Sequence, residues 1–140
     1  MSHLAVLRLS LSDFRCYRRL RLDVGAPPVV LTGPNGAGKT NLLEALSFLV
    51  PGRGMRRASL GDLARHGLEA GAPWAVAAQL ADGSEIGTGR EAGSERRTVR
   101  LDGQPARPGD LAGKVSALWL TPAMDRLFTE GAGGRRRFLD

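Results

Sequence analysis

The chain has 140 residues, of which 42% are hydrophobic, a formal net charge of +6 and one cysteine, Cys16. This length suits one domain with its own core, and a lone cysteine excludes an internal disulfide framework and a cysteine-based zinc site. No apolar run approaches the roughly 20 residues of a membrane span and no secretory leader opens the chain, so we expect a cytoplasmic protein. Cys16 has no partner pattern, and we expect it to pack rather than to react.

The positive charge is carried almost entirely by arginine, since the two lysines are Lys39 and Lys114. The arginine fork binds phosphate in a bidentate manner, so this bias favours a nucleic-acid partner. A GC-rich coding sequence gives the same abundance of Ala, Gly and Arg, and we weigh that explanation equally.

The first half of the chain predicts strands, a turn and a helix. Alternating apolar residues predict strands at 4–11 and 20–24, and residues 29–31 predict a buried strand that leads into a glycine-rich turn. A helix follows and stops at Pro51-Gly52. Its predicted apolar side carries Leu42, Leu43, Leu46, Leu49 and Val50.

The second half predicts a basic loop at 51–59, a helical turn at 60–65 and strands at 74–80, 85–88 and 97–102. The first two of these strands are predicted to form a hairpin through Asp82-Gly83. Residues 115–120 predict another apolar strand, and 122–128 predict a short helix with proline in its first turn. Trp74 and Trp119 lie in predicted strands and are expected in the core. No repeat or change of composition marks a domain boundary.

The turn between the strand at 29–31 and the helix fits the phosphate-loop pattern G-x-x-x-x-G-K-[ST]. Glycines let successive backbone amides turn toward phosphate oxygens, and the helix N-terminus adds a favourable dipole. Lys39 is expected at the β- and γ-phosphates, and Thr40 is expected to supply a hydroxyl to Mg²⁺. The predicted nucleotide cradle consists of Gly33, Pro34, Asn35, Gly36, Ala37, Gly38, Lys39 and Thr40.

A phosphate loop is common to many proteins, and four blocks of sequence narrow the choice of family. They are residues 9–17, the loop continuing through 42–45, residues 52–57 and residues 134–140. Together they resemble the RecF family of bacterial recombination and gap-repair ATPases. The resemblance implies an α/β P-loop fold, an ABC-type ATPase head like those of SMC and Rad50 proteins. Residues 1–140 would be the N-terminal part of its lobe I, a mixed sheet with flanking helices that stops before the signature motif and the Walker B acid.

The resemblance also implies a mechanism. In the family two heads sandwich two ATP molecules with Mg²⁺, the ATP-dependent homodimer grips DNA, and recombinase is loaded at single-stranded gaps with RecO and RecR as partners. The implied DNA-stimulated ATPase is weak, and its catalytic groups lie beyond Asp140, so no catalytic residue is assigned here and hydrolysis by this chain alone is not expected. The glutamine expected near the end of 115–120 is replaced by Thr121, and Asp125 is displaced from its family position.

Several basic residues have two interpretations. In the family fold Arg15 lies near the phosphate loop and is expected to contact nucleotide phosphate, with a solvated role as the alternative. The cluster Arg53, Arg56 and Arg57 is expected to bind DNA or to sense nucleotide, against a solvated loop. Residues 135–137 could contact DNA phosphates or cap a neighbouring element, but a run of like charge is usually solvated, and we favour that interpretation. His3 and His66 lack metal-ligand spacing.

Two other functions remain open at this point. One is an SMC-like or Rad50-like head, which long heptad repeats after Asp140 would favour. The other is a nucleotide-dependent DNA-binding module that does not hydrolyse ATP.

Overall fold

A computed structural model describes residues 5–121. Six strands pair in antiparallel fashion in the order β2-β1-β3-β4-β5-β6. The strands are β1 (Val6–Phe14), β2 (Tyr17–Asp23), β3 (Trp74–Leu80), β4 (Glu85–Arg90), β5 (Arg97–Leu101) and β6 (Gln104–Ala106). Helix α1 spans Lys39–Ser47, and 3₁₀ helices span Leu60–Leu63 and Pro108–Gly113.

The predicted strands form where side chains alternate between the two faces of the sheet. In β1, Leu9 and Leu11 are buried while Ser12 is exposed, and Leu11 pairs with the buried Val76 of β3. The Asp82-Gly83 turn joins β3 to β4 as predicted, with the Asp82 carboxylate accepting the Ser84 amide at 2.8 Å. Local patterning therefore suffices for these elements.

Helix α1 covers one face of the sheet through aromatic packing. Phe14, Phe48 and Trp74 meet with ring centroids 5.5 to 6.4 Å apart in tilted or edge-to-face geometry. The Trp74 indole also donates to the Leu60 carbonyl at 2.8 Å. The expected core position of Trp74 is confirmed, and this packing positions the C-terminal end of α1, where Phe48 is the C-cap residue.

Two predicted strands are wrong. Residues 29–31 and 115–120 have no regular structure, and Val30 and Leu118 are 81% and 79% exposed. A strand needs a neighbour for its backbone groups, and within residues 5–121 neither segment pairs with one. Trp119, expected in the core, is only half-buried in the second segment. Apolar composition predicts burial but does not supply the pairing partner.

The buried side of α1 also differs from the prediction. Leu43 is 48% exposed, whereas Glu44 and Ser47 are buried against the core. The helix is therefore rotated so that the Glu44 carboxylate faces inward and Leu43 outward, while Leu42, Leu46 and Leu49 still pack against the core. Strand β6 and the 3₁₀ helix Pro108–Gly113 were not predicted, and the predicted helix at 122–128, the arginines at 135–137 and His3 lie outside the described residues.

Candidate functional site

The glycine-rich turn before α1 adopts backbone angles that favour glycine. Gly33, Gly36 and Gly38 have φ values of 149°, 86° and 103°. At Gly38 an added Cβ would lie 2.5 Å from the Tyr17 hydroxyl oxygen and 2.9 Å from the Cys16 Sγ. Both the positive φ and the lack of space therefore require glycine here.

Lys39 and Thr40 open α1 directly after this turn. Gly38 is the N-cap residue, and its carbonyl accepts the Leu42 amide at 3.1 Å. The Lys39 ammonium reaches back across the turn and donates to the Gly33 carbonyl, while Thr40 is exposed on the first helical turn. The N-terminal dipole of α1 and the ammonium thus act on the same small space.

A cleft of about 320 Å³ lies over this turn. Its lining contains two basic side chains, from Lys39 and Arg56, and no acidic one. The structure therefore gathers the central residues of the predicted cradle in one place and adds one arginine from the basic loop. The full lining is Asn35, Gly36, Gly38, Lys39, Thr40, Asn41 and Arg56.

Residues of the β1–β2 turn contact the cradle directly. The Tyr17 hydroxyl donates to the Gly38 carbonyl at 3.0 Å, and partial burial, together with the neighbouring Cys16, raises the pKa of Tyr17. Cys16 is exposed, and its Sγ accepts from the Asn41 amide at 3.2 Å. Cys16 was expected to serve in packing, and the structure instead leaves it exposed, because the tight turn carries it to the surface beside the loop.

A buried carboxylate organises the arginines near the cradle. Glu44 is fully buried and accepts two hydrogen bonds from Arg15, from Nε at 2.8 Å and from Nη2 at 3.1 Å. Arg56 approaches the same carboxylate at 3.5 Å and donates to the Asn41 side chain at 3.2 Å. Glu44 thereby holds Arg56 at the cleft while keeping Arg15 beside the helix.

The structure separates the arginines that the sequence grouped. Arg56 lines the cleft, whereas Arg53 and Arg57 are exposed and do not line it. Arg15 is engaged by Glu44 and is absent from the cleft wall. Its contact with nucleotide phosphate stays a prediction. The role of Glu44 was not predicted; its only signal was a carboxylate among the leucines and alanine of the helix.

Arg97 of β5 fastens the far end of α1. Its guanidinium donates to the carbonyls of Phe48, Val50 (3.3 Å) and Gly52 (3.0 Å), and its Nε donates to the Thr88 hydroxyl at 2.8 Å. It also lies 5.3 Å from the centre of the Phe48 ring. Burial lowers the pKa of Arg97 to about 10, which leaves it charged at neutral pH.

Arg97 supplies the positive charge that the last turn of α1 itself lacks. One feature of the sequence indicates this position. Arg97 lies two residues before Val99 and four before Leu101 in the same strand, so all three side chains lie on the same inward face.

Neither a metal cluster nor a membrane helix is found in the described part. Among residues 5–121 no group of three or more His, Cys, Asp or Glu could hold a metal ion. His66 is exposed. Within the same residues no helix is long and apolar enough to cross a membrane.

Comparisons with known proteins give the site a context. A family model described as an AAA domain matches residues 8–104. The DNA replication and repair protein RecF of Caulobacter vibrioides is 53% identical over 147 residues, which cover all of this chain and 38% of that protein. RecF of Rhizobium meliloti is 53% identical over 137 residues, which cover 95% of this chain and 37% of that protein.

Solved structures agree on the fold. The recombination mediator protein RecF with ATP superposes with a TM-score of 0.81 at 23% identity, covering 99% of this chain and 38% of that one. An SMC ATPase structure superposes with a TM-score of 0.77 at 20% identity, covering 96% of this chain and 97% of that one. The predicted P-loop, ABC-type head is confirmed. The chain spans about 38% of the length of the RecF relatives that it matches.

Proposed function

The chain belongs to the AAA domain family and, within it, to the RecF proteins, and from this premise we propose that residues 33–40 bind the triphosphate of ATP together with Mg²⁺. The observation that carries the proposal is the positive-φ glycine turn that places Lys39 and Thr40 at the N-terminus of α1, in one basic cleft. Every feature of that cleft favours a compact anion.

Each group has a separate task. The amides of the turn would donate to phosphate oxygens, the Lys39 ammonium would exchange the Gly33 carbonyl for the β- and γ-phosphates, and the Thr40 hydroxyl would coordinate Mg²⁺. At Gly38 the position that a Cβ would take is occupied by Tyr17 and Cys16, so glycine is what lets the β1–β2 turn pack directly against the cradle.

Arg56 extends the cleft and is placed to meet the outer end of the triphosphate. Its contacts with Glu44 and Asn41 hold the guanidinium at the cleft edge without burying it. Arg15 reaches a phosphate only after leaving Glu44, so in this proposal its first task is to fix that carboxylate.

For the whole protein we propose an ATP-dependent homodimer that binds gapped DNA and helps to load recombinase, in the cytoplasm and with RecO and RecR as partners. The names of the relatives, DNA replication and repair protein RecF, support this role. Arg53, Arg56 and Arg57 are proposed DNA contacts, because they are exposed arginines of the basic loop that follows α1, and Arg56 also lines the cleft. Weak, DNA-stimulated hydrolysis would depend on groups outside this chain.

The decisive test is Lys39→Ala in the full-length protein. Removing two charge-assisted hydrogen bonds of about 1.5 kcal/mol each should weaken ATP affinity roughly 100-fold and prevent ATP-dependent dimerisation. Labelled ATP titrated with Mg²⁺ measures the first effect, and light scattering measures the second. Lys114→Ala is the matched control, since Lys114 is the other lysine of this chain and is exposed. Unchanged, saturable ATP uptake by the Lys39 variant would refute the proposal.

Turnover separates an ATPase from a module that only binds nucleotide. We expect the full-length protein to release phosphate slowly, and faster with gapped duplex than without it. No turnover under either condition would leave ATP as a binding switch alone.

A further inference from the structure

The face of the sheet that points away from α1 is a trough of small side chains. Three adjacent strands place small residues side by side in two cross-strand rows. The first row is Ser10, Ala77 and Gly87, and the second is Ser12, Ala75 and Gly89.

Arginines stand on both sides of this trough. Arg21 pairs with Ser10 and Arg19 with Ser12 at the β2 side, while Arg100 pairs with Gly87 at the β5 side. The two sides are four strand intervals apart, or about 19 Å. Adjoining depressions of about 310 and 510 Å³ share Ala77, Gly87 and Arg100 in their linings, which also include the carboxylates of Glu85 and Glu91.

The two sides keep positive charge that the protein does not neutralise. Asp23 accepts from Arg8 at 2.8 Å and from Arg21 at 3.1 Å, so those two arginines share one carboxylate. Arg19 and Arg100 are exposed and form no ion pair with any residue in the 5–121 range. Each side of the trough therefore offers at least one uncompensated guanidinium.

We propose that this trough binds the phosphate backbone of duplex DNA, an inference that rests on the proposed DNA-binding function and assigns it a surface. Two arginine sides about 19 Å apart are wide enough to bracket the two phosphate rows that flank a major groove about 12 Å wide. An α-helix of a protein partner, about 10–12 Å across, would reach one side of the trough at a time. A floor of serine, alanine and glycine also offers little apolar area to a protein.

This surface is distinct from the cradle. Arg53, Arg56 and Arg57 follow α1, which packs on the opposite face of the sheet. Duplex in the trough would therefore be held without any contact with the bound nucleotide, and the two activities can be tested separately.

The test combines Arg19→Ala with Arg100→Ala in the full-length protein. Binding of a labelled blunt duplex is measured between about 50 and 200 mM salt, where each phosphate that an arginine no longer neutralises lowers the salt slope by about 0.9. We expect weaker duplex binding, a slope smaller by about 1.8 and unchanged ATP titration. The control of equal charge, Arg107→Ala with Lys114→Ala, alters residues at the 3₁₀ helix Pro108–Gly113, which packs on the α1 side through Leu111.

A second variant, Ala77→Glu, puts a carboxylate on the exposed floor and should also weaken duplex binding. An unchanged salt slope in both variants, with normal DNA binding by the wild type, would overturn the trough while leaving the proposed function intact. A lower melting temperature with an unchanged slope would also overturn it and would indicate that another part of this protein covers the face. Failure of the wild-type protein to bind any DNA would refute both the trough and the proposed DNA-binding function.

Discussion

The two ends of helix α1 are built in opposite ways. At its N-terminus the chain turns through three positive-φ glycines, and the side chains that line the cleft there are exposed or half-buried. At its C-terminus Arg97 bonds to three carbonyls and lies on the Phe48 ring, within the core. One end opens into a basic cleft, and the other is fastened to the sheet.

This contrast shows how a small fold can position an open basic cleft at one end of a helix. The cradle itself gains little from packing, because its residues line an open cleft. Its position is fixed instead from the far end of the helix and from Glu44 in the middle. Substitutions at the anchored part should therefore reduce stability, whereas substitutions at the open end should reduce ligand affinity.

The largest effect is expected at the middle of the helix. Glu44→Ala leaves the Arg15 guanidinium, only 15% exposed, without its counter-charge. Removing one partner of such a pair costs about 3–5 kcal/mol of unfolding free energy. Denaturant unfolding of the full-length protein measures this loss of unfolding free energy. Glu85→Ala, which removes an exposed carboxylate, is the control. Equal midpoints for the two variants would mean that Glu44 does not organise the site.

The anchored end should respond next. Arg97→Ala removes the donor for the carbonyls of Phe48, Val50 and Gly52, and we expect the free energy of unfolding to fall by about 3 kcal/mol. Hydrogen exchange in the last turn of α1 should rise with it. Arg96→Ala alters the adjacent exposed arginine and should leave both measurements unchanged. Normal exchange in the Arg97 variant would show that packing alone holds the helix.

The basic loop tests the open end. Arg56→Ala with Arg57→Ala should lower DNA affinity, and the salt slope should fall by about 1 for each phosphate that the variant no longer binds. Arg56→Ala alone should in addition weaken ATP binding, because Arg56 lines the cleft and Arg57 does not. An unaltered salt slope in the double variant would identify the loop as merely solvated.

The smallest effect is expected beneath the cradle. Tyr17→Phe removes the hydroxyl that bonds to the Gly38 carbonyl, a loss of about 1 kcal/mol or roughly fivefold in ATP affinity, measurable by calorimetry. The pKa of Tyr17 is raised above its usual 10.0, so this advantage of the wild type should be constant below that pH and disappear as the phenol ionises at higher pH. Identical affinities at neutral pH would exclude a supporting role.

Elements with local determinants were predictable from the sequence. Strand alternation, the Asp82-Gly83 turn and the phosphate loop each depend on residues close together in the chain, and the structure shows all of them. The segments at 29–31 and 115–120 were predicted wrongly because a strand also requires a partner, which a single segment does not encode.

The supporting contacts of the site were harder to predict. Glu44 faces inward because α1 is rotated about its axis to place Phe48 between Phe14 and Trp74, and that rotation depends on residues far apart in sequence. Cys16 was misplaced because two positive-φ residues, Asp13 and Arg15, sharpen the turn that carries it. The cradle was predictable from its motif, whereas the contacts that fix its position were not.

The bonds of Arg97 have a mechanical consequence. One guanidinium joins the end of α1 to Thr88 of β4. We therefore expect the helix and the β4–β5 hairpin to move together as a rigid unit. If α1 shifts when ATP binds, the sheet should shift with it; otherwise the conformational change should be confined to the glycine turn. A pair of spectroscopic labels on α1 and β4 should then keep a constant separation through the nucleotide cycle.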